Sequence, residues 1–181
     1  MSCREGLIYT LHYAGTPELA AAVSNAGGLG VIAAHNAGTP ANLVEWITRL
    51  KKLAPGKPFG VNFTILPAMG QPPPYDEYAA VVVAEGVKVV ETAGSSPKKW
   101  IGLFKKAGLI TIHKCVTIRH ALAAEKLGVD IVSLDGFECA GHPGEADVGN
   151  YVLQVMSFKI AYVWLQSTTR LLCSNSVDIG H

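Results

Sequence analysis

Residues able to do chemistry crowd into one short stretch. Between Asp135 and Glu145 the chain places a histidine (His142), three acids (Asp135, Glu138 and Glu145) and a thiol (Cys139) among the small residues Gly136, Ala140, Gly141 and Gly144. Small residues let a backbone approach a flat ligand closely. Imidazole titrates near neutral pH, so His142 is the general-base candidate, against the plainer reading of an inert loop histidine. Cys139 raises a thiol nucleophile, although buried, unreactive cysteines are commoner. Three other segments are chemically conspicuous: Val61-Asn62-Phe63, Glu91-Thr92-Ala93-Gly94-Ser95-Ser96 and His113-Lys114-Cys115. The second could turn amides and hydroxyls toward an anion, or be an ordinary turn. The third could supply a cation to an anionic ligand or a ligand to a metal. It has no second ligand pair at matching spacing, so no metal site is expected.

These groups need a scaffold, and short β-branched runs alternating with helical segments provide one. Gly30-Val31-Ile32-Ala33, Phe59-Gly60-Val61-Asn62, residues 87–92, 109–113 and 129–134 are nearly continuous apolar runs, as expected of parallel strands buried on both faces. A weaker first strand falls within residues 6–11. Thr16-Pro17, Thr39-Pro40 and Ser96-Pro97 each set a hydroxyl before a proline at a helix start. Gly27-Gly28, Gly86, Gly108 and Gly128 stop helices and lead into strands. In such folds function gathers at the C-terminal ends of strands, where all four conspicuous segments are expected. Gly27-Gly28-Leu29-Gly30 follows a helix and opens a strand, the reverse of a dinucleotide fingerprint. Trp46 and Trp100 read as helix packing residues, and Tyr75 and Tyr78, after Pro72-Pro73-Pro74, as a loop or pocket mouth. Six strands by residue 135 fit either an open sheet or part of a (β/α)₈ barrel, so pattern alone leaves both open.

The 181 residues are 49% hydrophobic and 16% charged, enough to build a sizeable core. A formal net charge of +1, with both signs dispersed, argues against nucleic acid or an anionic membrane as partner. Cys3, Cys115, Cys139 and Cys173 form no C-x-x-C, which favours a reduced, cytoplasmic (intracellular) setting. The first residues are too polar for a secretory signal, and residues 160–165, the most apolar late run, are far short of a membrane span.

Three blocks in order resemble the nitronate monooxygenase family, formerly called 2-nitropropane dioxygenases. They are Gly15 through Gly30, Phe59-Gly60-Val61-Asn62, and residues 135–145, together spanning about residues 11 to 153. The resemblance implies an α/β fold, a (β/α)₈ TIM barrel with FMN across its C-terminal mouth. It implies that Asn62 contacts the flavin and that His142 takes the α-proton of a nitroalkane or assists nitronate binding. The implied reaction is oxidation of small alkyl nitronates by oxygen to a carbonyl compound and nitrite, the redox chemistry being the flavin's. Asp135, Ala140 and Gly141 fall at positions similar to the family's cofactor contacts, and Lys114 is the cation expected near that cofactor. Many members carry glutamine in place of Asp135 and glycine in place of Ala140, which bears on substrate preference. Residues 1–10 depart from the family pattern. After about Leu153 the seventh and eighth βα units, with their phosphate loops, are not recognisable. The expectation is an incomplete barrel over residues 1–156, of about six βα units. Residues 157–181 are then a non-family tail, disordered or supplying a substitute edge strand at residues 160–165. Poor activity is expected of such a chain. Two alternatives stand beside this: another flavin barrel such as the enoyl reductases, and a non-catalytic fragment, which the tail favours.

Overall fold

Helix boundaries follow the local chemistry closely. The computed structural model describes residues 8–9, 15–65, 72–139, 147–153, 155–156 and 170–173. Helix α1 (Pro17–Asn25) opens with Thr16 accepting from the Leu19 amide at 3.4 Å, and α3 (Pro40–Leu53) with Thr39 accepting from the Asn42 amide at 3.2 Å. A four-residue turn, α2 (Ala34–Ala37), precedes α3. Helices α4 (Tyr75–Ala84) and α5 (Lys98–Lys106) start after prolines with no side-chain cap, so Ser96 does not cap as expected. Helix α6 (Ile118–Lys126) is capped by Thr117.

The glycine stops share one geometry. At Gly86, Gly108 and Gly128 φ is +66°, +73° and +82°. The following amides of Val87, Leu109 and Val129 reach back to the carbonyls of Val82, Phe104 and Ala124. This is the Schellman arrangement, which satisfies carbonyls that a helix end otherwise orphans. Each following residue is buried, so one device both ends the helix and aims the next strand into the core.

The chain divides into two compact units, Met1–Thr111 and Ile112–His181. In the first, β1 (Ile8–Tyr9), β2 (Leu29–Ala33), β3 (Phe59–Ile65) and β4 (Val89–Gly94) pair in parallel and in chain order. Ile32, Val61, Phe63, Ile65 and Val90 pack on Leu43, Ile47 and Leu50 of α3, Tyr78, Ala79 and Val82 of α4, and Phe104 of α5. The Phe63 and Phe104 rings sit 5.6 Å apart. Trp46 and Trp100 pack against this core as expected. Tyr78 belongs to it too, buried on α4 rather than lining a loop, because α4 begins immediately after the prolines.

Helix α1 packs tightly against β2. A Cβ on Gly30 would sit 2.6 Å from the Ala20 carbonyl carbon and 2.8 Å from its Cα. Buried Ser24 locks the contact, its hydroxyl donating to Pro58 O at 2.8 Å and accepting from the Gly30 amide at 3.1 Å. Gly30 is therefore required by packing, and the dinucleotide reading is not needed.

In the second unit, β5 (Ile110–Cys115, beginning at the boundary), β6 (Ile131–Leu134) and β7 (Arg170–Cys173) are parallel neighbours. Strand β7 lies in the stretch read as a tail. It falls ten residues later than the expected start of an edge strand at residue 160, and residues 160–165 lie outside the described residues. The α/β class and the parallel βα units are those of a partial TIM barrel.

Candidate functional site

Strand alternation separates two faces of the first unit's sheet. The helix-covered face is apolar apart from Thr92, whereas Asn62 and Thr64 of β3 and Glu91 of β4 share the opposite face with Val31, Ala33 and Val89. Asn62 and Glu91 are direct register partners. Asn62 Nδ2 donates to Glu91 Oε2 at 2.8 Å, and Thr64 Oγ1 donates to Asn62 Oδ1 at 2.8 Å. Asn62 is 2% exposed and Glu91 wholly buried. The expectation that Asn62 ends its strand is corrected: it is the fourth of seven residues, because Phe63, Thr64 and Ile65 continue the ladder with Thr92, Ala93 and Gly94.

Glu91 was named from the sequence only as the start of the 91–96 segment, with no role for its carboxylate. Its signal was visible nevertheless, as a carboxylate interrupting an apolar strand, which is costly unless a partner holds it. The adjoining turn is less suited to an anion than its composition suggests. The Ser95 amide is already donated to Ile65 O at 2.7 Å, and Thr92 faces the helices and is buried.

In the second unit, Lys114 on β5 and Asp135 just after β6 come together. Lys114 Nζ lies 3.2 Å from Asp135 Oδ2. The Asp135 amide donates to Cys115 O at 3.0 Å, which fixes the carboxylate beside the end of β5. The pair carries no net charge, so Lys114 is a compensated cation. Cys115 is buried, and desolvation, with the Asp135 charge second, pushes its thiol up to about 12. A thiol so held has almost no thiolate at neutral pH, which removes Cys115 as a nucleophile.

The loop after β6 is clasped from within. Glu138 Oε1 accepts from the Asn150 amide at 2.7 Å, and the Phe137 amide donates to Val148 O at 3.1 Å. Glu138 thus holds the start of the helical turn at residues 150–153. Cys139 is half-buried. His142, Ala140 and Gly141, three of the residues expected to act, lie outside the described residues. No helix among the described residues is long and apolar enough to cross a membrane.

Comparison with known proteins bears on this arrangement. The family model for nitronate monooxygenase matches residues 12–80. A curated relative from Rhodococcus jostii (strain RHA1) is a (3aS,4S,5R,7aS)-5-hydroxy-7a-methyl-1-oxo-octahydro-1H-indene-4-carboxyl-CoA dehydrogenase. It is 34% identical over 128 residues, which are 71% of this chain and 34% of the relative. The enzyme of the same name from Mycobacterium tuberculosis (strain ATCC 25618 / H37Rv) is 32% identical over 127 residues, 70% of this chain and 34% of that relative. The chain thus spans about a third of the length of the curated relatives it matches. Among solved structures, FabK from Thermotoga maritima superposes with a TM-score of 0.75 at 33% identity, covering 93% of this chain and 50% of that one. A nitroalkane oxidase from Streptomyces ansochromogenes superposes at 0.71 with 25% identity, covering 92% of this chain and 64% of that one. Taken with the parallel βα units, these matches show that residues 12–80 fit the nitronate monooxygenase family model and that the fold is part of the barrel its structural neighbours share.

Proposed function

We propose that this chain is part of an FMN-dependent oxidoreductase that oxidises small alkyl nitronates with oxygen to a carbonyl compound and nitrite. The observation that carries the reading is the nitronate monooxygenase match over residues 12–80, the segment containing Asn62. The donor chemistry agrees with it. A flavin ring presents both acceptors and an N–H at its edge, and the buried Asn62 amide offers both kinds of partner. Lys114, steadied by Asp135, offers an ammonium for the carbonyl end of such a ring.

In this reading Asn62, Lys114, Asp135, Ala140 and Gly141 contact the cofactor, and His142 is the catalytic base. When bound, FMN supplies the electron-accepting chemistry. The chain's own share is to orient the ring through Asn62 and to place an imidazole that takes the substrate's α-proton or holds the nitronate anion. The reading assigns the chain to the cytoplasm, with small-molecule partners and neither nucleic acid nor a membrane.

The test is the visible spectrum of the purified chain titrated with FMN, followed by oxygen consumption with a nitronate. A shifted flavin spectrum and nitronate-dependent oxygen uptake, lost in His142→Ala, support the reading; retention of full turnover in His142→Ala removes that residue from it. A second reading, an oxidoreductase of CoA thioesters, is favoured by the 34% identity to a carboxyl-CoA dehydrogenase. Anaerobic bleaching of bound flavin by a CoA thioester, but not by a nitronate, would select it.

A further inference from the structure

We propose that Glu91 is a positioning residue that sets which way the Asn62 amide faces its cofactor, an inference that rests on the flavin reading above. The two residues are register partners on one face of neighbouring parallel strands, joined by the 2.8 Å bond from Asn62 Nδ2 to Glu91 Oε2. A carboxylate accepts and does not donate, whereas an asparagine side chain has a donor end and an acceptor end. Only the NH₂ of Asn62 can therefore turn toward β4. The Thr64 hydroxyl can donate or accept, and it completes the arrangement by donating to Asn62 Oδ1 at 2.8 Å. The three side chains form a directional relay whose sense is dictated by its one acceptor-only member, Glu91.

The cost of this device argues that it has a use. Holding a carboxylate with no solvent exposure on a β-strand is unfavourable compared with an apolar side chain of similar size. The relay uses one of two N–H groups and one of two lone pairs on the Asn62 side chain. One donor and one acceptor stay available to a ligand. A flipped amide would exchange them and set donor against donor at a flavin edge.

The experiment is an FMN titration of the full chain, followed by absorbance, on the parent, Glu91→Gln, Glu91→Leu, Asn62→Ala and the Asn62→Ala/Glu91→Leu double variant, with circular dichroism as the folding check. Glu91→Leu and Asn62→Ala should each weaken FMN binding by about tenfold or more. The double variant should be no weaker than Asn62→Ala alone, since Glu91 acts through Asn62. Glu91→Gln, which keeps an acceptor, should recover most of the affinity and shift the flavin visible band relative to the parent. Should Glu91→Leu fail to fold, the isosteric Glu91→Gln carries the same cycle: its shift of the flavin visible band should be present with Asn62 and absent in the Asn62→Ala background. Multiplying losses, or parent-like binding and spectrum in Glu91→Leu, overturn the positioning role and leave the flavin reading intact. A parent chain that binds no FMN overturns both.

Discussion

Alkaline titration of Cys115 tests the description of the second unit most directly. The thiol is raised from 9.0 to about 12, by burial first and by the Asp135 charge second. The folded state therefore holds its proton more tightly than the unfolded chain does. Stability from this group is complete below pH 9.0 and is lost as pH climbs from there toward about 12. At pH ~10.5 the unfolded thiol is mostly ionised and the folded one is not, a difference of about 2 kcal/mol. Urea unfolding of the parent and of Cys115→Ala, each at pH ~8 and ~10.5, isolates the effect, because other alkaline groups titrate in both proteins. The parent should lose about 2 kcal/mol more than the variant between the two conditions. Alkylation gives a second readout. At pH ~8 the folded thiolate population should be about a thousandfold below that of an unperturbed cysteine, so iodoacetamide should spare Cys115 until urea is added. A gap between parent and variant that stays constant with pH, or rapid labelling of Cys115 in the native protein, would refute the buried, neutral thiol.

Gly30→Ala should destabilise the first unit by roughly 1–3 kcal/mol, since the new methyl meets the Ala20 backbone and α1 must move off the sheet. Gly27→Ala has open space around it but a φ of +95°, so its cost should be nearer ~1 kcal/mol; chemical denaturation of both separates steric from conformational cost. Ser24→Ala leaves the Gly30 amide and the Pro58 carbonyl without the hydroxyl that serves both, at about 1–3 kcal/mol for each group left unsatisfied, and differential scanning calorimetry should show the lower Tm. Asp76 is held below 3.8 by hydrogen bonds from Lys99 and from Trp100 Nε1, so its ion pair is complete above the usual carboxylate range, persists below it, and is lost as pH falls through the lowered value. Trp100 fluorescence should change in that acid window in the parent and lose the transition in Asp76→Asn.

Local chemistry determined much of this protein. Threonine-proline pairs mark the starts of α1 and α3, and glycines at +66°, +73° and +82° mark the ends of α4, α5 and α6, because capping and left-handed φ depend only on nearby residues. Apolar runs identify the parallel strands for a similarly local reason: a strand covered on both faces has few polar positions. Local signals could not supply the partners. Asn62 was legible as a polar residue in an apolar strand, but its bond to Glu91 depends on the β3–β4 register, which joins residues 29 positions apart. Ser95 looked like an anion-binding amide until the fold gave that amide to Ile65. Tyr78 followed a proline run and read as loop, whereas packing against the sheet makes it core. Lys114 read as a cation for an anionic ligand, and only the pairing of β5 with β6 brings Asp135 to 3.2 Å and neutralises it. The elements were set by neighbours along the chain, and the chemistry by neighbours across the sheet.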